Sequence, residues 1–183
     1  MKRQVKWESR LGARTGRIDW ENIHALNSNI SYCNNLGFFN LLVVKDNLET
    51  NTRSVHYRSP DNLCTFCKLL PETCLHLLWD CTKVRKFRLE ANNILKYGPL
   101  KNEINLIPNT AKSRLLGNNF KNVANFPFIF LLLMNRYIWL TKLRENELSP
   151  NAFKNFSLSF LKLHKLAKSI NCFKNLDLED IWE

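Results

Sequence analysis

The residues of this chain whose types and spacing could do chemistry are concentrated in one stretch, LCTFCKLLPETCLHLLWDC from Leu63 to Cys81. It holds four of the six cysteines and one of the four histidines. Cys64, Cys67, His76 and Cys81 read as C-x2-C-x8-H-x4-C. Two cysteines separated by two residues can present both sulfurs to one ion at a chain turn. A third and fourth donor from a following helical turn then complete a tetrahedron of soft and borderline ligands. Such a Cys3His shell is characteristic of structural zinc. It keeps no position for water or substrate, so the expected cofactor is Zn2+ and its expected role is to hold the fold, with metal binding coupled to folding.

The same cysteines admit other readings. A disulfide patch needs an oxidising compartment, a redox pair at CTFC needs a βαβ context that the neighbours do not supply, and inert buried cysteines are a third alternative. Cys74 lies two residues before His76 and competes with it as a ligand. If Thr73 caps a helix running toward Trp79, His76 sits in the first turn and Cys74 projects from a different face, which favours His76. The spacing excludes a RING, which needs eight ligands, and differs from the shorter middle gap of a retroviral knuckle and the two closing histidines of a classical finger.

The elements around the cluster must position it. With 183 residues, 45% hydrophobic, and only five glycines, the chain has the composition of a globular protein and too little turn-forming glycine for a barrel or sandwich. We expect a mainly α fold, with a small Cys3His zinc module embedded between helical segments and a C-terminal helical hairpin or bundle. Residues 1–19 read as a disordered basic lead-in. Residues 20–62 read as a helical segment before the zinc module, with Asp19 capping a short helix through Leu26 and the run Phe38 to Leu48 as a buried helix in preference to a strand. Residues 63–97 form the zinc module with a following helix, in which Val84, Phe87, Ala91, Ile94 and Leu95 keep helical spacing until Gly98 and Pro99.

Residues 98–120 read as a linker, and residues 121–183 as C-terminal helices. One of these runs from about Pro127 to Asn146, and the next opens with Ser149 as cap and Pro150 at its first position. In that last helix Phe153, Phe156, Phe160, Leu163, Ala167 and Ile170 form a narrow apolar seam, from which the lysines fall away.

The formal charge is +11, which makes a polyanion the first partner to consider. The excess is spread along the whole chain and not gathered in a tail. Lys68, Lys83, Arg85, Lys86 and Arg88 flank the zinc segment and are the candidates for phosphate contact. The start, MKRQVKWESRLGARTGR, is basic but lacks an apolar core segment, so no secretory signal is expected there. The cysteines are therefore expected in a reducing, intracellular compartment, nuclear or cytoplasmic. The longest apolar run, FPFIFLLLM from Phe126 to Met134, falls short of the about 20 residues that cross a bilayer, so no membrane association is expected. His24, His56 and His164 have no convincing nucleophile or carboxylate partner, so no independent enzyme is expected.

With the ligands placed, the surrounding letters carry a resemblance. CTFC and PETCLHLLWDC look like the zinc-binding segment near the C-terminus of reverse transcriptases from non-LTR retrotransposons of the long interspersed type. In that family a C-x-x-C is followed by Glu-Thr-x-x-His-Leu, a bulky apolar or aromatic pair and a final Cys; Cys64, Cys67, Glu72, Thr73, His76, Leu77, Trp79 and Cys81 fit that pattern. Upstream, IDWENI and the Thr-Asn pair in LETNTRS stand at about the family's distance from the cysteines. Downstream, the segment from Asn125 to Phe156 resembles its closing helices.

The departures are equally plain. No adjacent Asp pair of a polymerase box is present, nor an endonuclease constellation of carboxylates and histidine. The resemblance thus implies a non-catalytic part of an RNA-directed DNA polymerase, a tail without its engine. It implies binding of element RNA or target DNA during target-primed reverse transcription, with a polymerase body as a further partner. The alternative is a structural or protein-interaction zinc module whose last helix docks on such a body or on another protein.

Overall fold

The computed structural model describes residues 2–11, 18–29, 34–54, 61–94, 102, 105, 109–118 and 126–166. The fold is mainly helical, with a Cys3His cluster set between helices and a helical pair at the C-terminal end. Among the described residues the only extended pairing is an isolated bridge between Leu63 and Pro71 at the base of the metal loop.

The helices are α1 (Lys2–Leu11), α2 (Trp20–Asn29), α3 (Asn34–Val44), α4 (Asn51–Ser54), a π-helical turn (His76–Asp80), α5 (Thr82–Asn93), α6 (Ala111–Leu116), α7 (Phe126–Leu143) and α8 (Pro150–Leu166). Local signals start several of them. The amide of Asn22 donates to Asp19 Oδ1 at 3.0 Å, which caps α2. At the head of α8, the amide of Ala152 donates to Ser149 Oγ at 3.3 Å, with Pro150 in the first position, where its missing N–H costs nothing.

Helix α7 is the hub, and α3, α6, α8 and the π turn all pack on it. Its run from Phe128 to Met134 is at most 1% exposed, so it is apolar all round because it is buried all round. An aromatic cluster joins it to its neighbours. Tyr137 stacks on Phe87 of α5 with ring centroids 5.5 Å apart, and Phe153 of α8 meets Phe130 at 5.4 Å and Tyr137 at 5.5 Å. The Tyr137 hydroxyl donates to the Ser149 carbonyl at 3.1 Å, fixing where α8 turns back. That cluster sets the position of α5, and Cys81, the last metal-ligand candidate, immediately precedes its first residue.

Three expectations are corrected. The first 19 residues are not simply a disordered lead-in, because α1 forms there. Trp7 is fully buried, its Nε1–H donates to the Val44 carbonyl at 3.0 Å, and Arg10 Nη1 reaches Asp46 Oδ1 at 2.7 Å. The stretch from 98 to 120 is not only a linker, since α6 lies within it with Ser113, Leu115 and Leu116 fully buried. Gly117 ends α6 at φ +77°, and a Cβ there would come within 2.7 Å of the Phe128 ring, so glycine is what lets α6 close on α7.

The third correction concerns the seam of α8. Its deepest line runs Phe153, Ser157, Leu161, with Phe156 and Phe160 at the edge and Leu163 67% exposed. Ala167 and Ile170 lie outside the described residues.

Candidate metal centre

The cluster is built from two short devices. The first is the loop from Leu63 to Pro71. The amide of Cys64 donates to the Leu70 carbonyl at 2.8 Å and that of Lys68 to the Cys64 carbonyl at 2.9 Å, folding CTFC into a tight knuckle. Lys68 closes it with φ +57°, in the left-handed region where a side chain is strained. The amides of Phe66 and Cys67 point at the Cys64 sulfur.

The second device begins at Thr73, whose Oγ1 accepts the His76 amide at 3.0 Å and starts the helical turn. That turn widens to π geometry. The Cys81 amide donates to the His76 carbonyl at 2.9 Å, so the two ligand candidates are tied by one backbone bond. Cys81 then adopts an extended backbone and heads α5, where the amides of Lys83 and Val84 face its sulfur.

These devices bring Cys64, Cys67, His76 and Cys81 together, with all four ligand atoms within 4.8 Å of one another. Cys64 Sγ and Cys81 Sγ are 3.7 Å apart, and Cys67 Sγ is 3.3 Å from His76 Nε2. A tetrahedral ion with metal–sulfur bonds of about 2.3 Å separates its sulfurs by roughly 3.8 Å, and somewhat less for a sulfur–nitrogen edge. Two of the six donor–donor separations thus match the edges of such a tetrahedron, and the four atoms lie close enough together to surround one ion. Cys64 and Cys81 are fully buried and His76 is 7% exposed, so the centre is closed to solvent on most sides.

Electrostatics point the same way. The Cys64 thiol donates to Cys81, which pulls the Cys81 thiol down to about 5; that same bond, with burial, pushes Cys64 well above the ordinary thiol range. Two thiolates this close oppose each other's ionisation, and a bound divalent cation reverses that opposition. Four protein donors with no carboxylate suit a soft or borderline cation held for structure, and offer no open position for reaction.

Cys74 is not part of the cluster. It is 2% exposed on the other side of the turn, near Asp46, Arg10 and Arg53, and burial pushes its thiol well up. Asp46 is itself buried and pairs with Lys6 at 2.6 Å and Arg10 at 2.7 Å.

Two residues hold the metal loop to the core, and spacing alone did not single out either role. Glu72 is fully buried. Its Oε1 accepts the Asn51 amide at 2.9 Å, its Oε2 accepts the Thr65 amide at 2.7 Å, and Lys142 of α7 lies 3.5 Å from Oε1. Asn51 in turn donates to the Leu63 carbonyl at 2.7 Å. The legible signal was the recurrence of Thr-Asn and Glu-Thr pairs on either side of CTFC; nothing in their spacing says that they meet.

The other anchor is Arg88, expected as a phosphate contact and found 8% exposed. Its Nε and Nη2 donate to the Leu78 carbonyl at 3.2 and 2.7 Å, its Nη2 also donates to Asn135 Oδ1, and its guanidinium carbon sits 5.7 Å from the centre of the Trp79 ring. Burial brings its pKa down to about 9, still above neutral pH. Arg88 therefore caps the carbonyl end of the π turn and ties it to α7. It is not a surface cation, because the face of α5 that carries Val84, Phe87 and Ala91 carries Arg88 inward with them.

The remaining expected contacts, Lys68, Lys83, Arg85 and Lys86, are exposed. Lys68, Lys83 and Lys86 line one groove of about 860 Å³ beside the metal loop, and Arg85 is not among its lining residues. Among the described residues no helix is long and apolar enough to cross a membrane. The chain matches no family model, no curated protein and no solved structure.

Proposed function

We propose that the chain is a zinc-stabilised, non-catalytic module that binds nucleic acid beside its metal centre, as an accessory segment resembling the C-terminal part of a retrotransposon reverse transcriptase. The metal is Zn2+, since three thiolates and an imidazole at tetrahedral spacing are its preferred donors. The observation that carries the reading is the coincidence of metal loop and lysines: the knuckle that supplies Cys64 and Cys67 also carries Lys68, and the helix headed by Cys81 carries Lys83 and Lys86, all three lining one groove, whose lining also includes Glu49, Asp61, Glu90, Glu145 and Glu147, with Lys86 3.7 Å from Glu90. Metal binding would thereby fix the spacing of the cations. The +11 charge of the chain adds salt-dependent attraction for phosphate.

Element RNA or target DNA and a separate polymerase body are the partners the resemblance suggests. Titrating RNA and duplex DNA against zinc-loaded protein at several salt concentrations tests this. With three or four phosphate contacts, log K against log salt should fall with a slope of about −3, and Lys83→Ala should make it shallower by roughly 1.

A second reading, a module that docks on a polymerase body or another protein, is favoured by Leu163, 67% exposed on α8. Binding of neither nucleic acid at low salt would leave that one standing.

A further inference from the structure

Away from the groove, α1 and α4 gather a second set of cations on one carboxylate. The buried Trp7 donates its Nε1–H to the Val44 carbonyl, which pins α1 against the end of α3. Lys6 and Arg10, one helical turn apart, then share the face that meets Asp46. Lys6 Nζ lies 2.6 Å from Asp46 Oδ2 and Arg10 Nη1 lies 2.7 Å from Oδ1. Arg53 of α4 completes the group. Its Nη2 donates to the Asp46 carbonyl and stands 3.6 Å from Oδ2, and its Nη1 donates to Asn47 Oδ1 at 3.0 Å.

Asp46 stands at an unusual place for a side chain. Its amide donates to the Val43 carbonyl at 2.8 Å and that of Asn47 to the Leu42 carbonyl at 2.7 Å, the helix-end arrangement in which glycine is the usual left-handed residue, and its φ is 48°. The Asp46 side chain is 3% exposed, whereas those of Lys6, Arg10 and Arg53 are 44%, 27% and 39% exposed. One negative charge is thus held inside and three positive charges reach the surface. Nearby carboxylates are engaged elsewhere: Glu8 accepts the Trp20 Nε1–H at 2.8 Å, and Glu49 lines the groove beside the metal loop. None of Lys6, Arg10, Asp46 and Arg53 lines that groove.

We propose that Lys6, Arg10 and Arg53 form a second phosphate-contact site for nucleic acid, an extension that rests on the nucleic-acid reading above. Guanidinium forks match the oxygens of a phosphate, and a lysine beside them adds a point charge. Side chains already held on a carboxylate lose less freedom when a phosphate arrives. The lysines of the groove stand among a larger number of carboxylates, whereas here the cations outnumber the single acid that holds them.

Salt titrations of the zinc-loaded full chain against a labelled duplex DNA and a labelled single-stranded RNA test this, read by fluorescence anisotropy. Each phosphate contact contributes about 0.9 to the slope of log K against log salt on a duplex and about 0.7 on a single strand. With the second site engaged, the slope of the unaltered chain should be steeper than the about −3 of the groove alone. Lys6→Gln and Arg53→Gln should each make it shallower by one such increment, and Arg53→Lys, which keeps the charge, should not. Lys162→Gln removes the same charge from an exposed position on α8 and should leave the slope unchanged. Unchanged slopes in Lys6→Gln and Arg53→Gln, with Lys83→Ala still shallower, overturn the second site and leave the nucleic-acid reading intact. An equal loss in Lys162→Gln also overturns it, by reducing the effect to overall charge. No binding by the unaltered chain at low salt overturns both. Lys6 and Arg53 are part-exposed, so an unchanged melting temperature is the folding control, and either variant that passes it decides the matter.

Discussion

Removing the Arg88 side chain would leave the Leu78 carbonyl and the Asn135 amide oxygen without the donor that meets them inside the protein. The loss of such a buried, charge-assisted set costs about 3–5 kcal/mol, so Arg88→Ala should be among the more destabilising substitutions in the chain. Lys83→Ala, at an exposed position on the same helix, should stay within about 0.5 kcal/mol. Denaturant unfolding of the two variants decides the matter, and similar midpoints would contradict the role given to Arg88. The thiols make a separate prediction. In the metal-free pair Cys64 keeps a proton that it shares with Cys81, whose thiol is held down to about 5. A metal must displace that proton, so zinc affinity should rise with pH through neutrality and fall toward acid. Competition with a chelator at two pH values would show it, and a pH-independent affinity would contradict a thiolate site.

Among the elements, the loop from Leu63 to Pro71 depends on Glu72 for its placement against α4 and α7. Glu72→Ala removes the acceptor of the Asn51 and Thr65 amides and the partner of Lys142. The ligands themselves stay, so the metal should still bind, but about 10–100-fold more weakly, as when other outer partners of a metal site are lost. Undiminished affinity in a chelator competition would show that the loop holds its shape without this anchor. What the sequence made legible at this scale was local. Asp19, Thr73 and Ser149 cap the turns that follow them because a cap's partner lies only two or three residues away. Helices α1 and α6 were not legible, because what orders them is distant: Trp7 meets Val44 and Arg10 meets Asp46 across the chain, and Gly117 meets Phe128. The seam of α8 was displaced for a similar reason, since Ser157, polar in type, lies on the deepest line beside Phe153 and Leu161.

For the molecule as a whole, helix α7, buried on all sides from Phe128 to Met134, receives the packing of α3, α6, α8 and the π turn, and the metal segment is fastened to it by Arg88 and Glu72. The four ligand candidates were legible from spacing together with the Thr73 cap, because a C-x2-C and a following helical turn leave few ways to surround an ion and the cap sets His76 on a different face from Cys74. Their second layer was not, because Glu72 and Arg88 act through residues between 7 and 70 positions away, and Arg88 in a run of basic residues reads as a surface charge. If the metal segment is part of one cooperative structure, the ion should govern more than its own loop. The most direct measurement is the zinc content of the purified chain by elemental mass spectrometry, with melting followed before and after chelation. One zinc per chain, and a loss of cooperative melting on chelation with recovery on adding zinc back, is the predicted result. A chain without bound metal, or one whose melting is the same with and without it, would contradict the central claim.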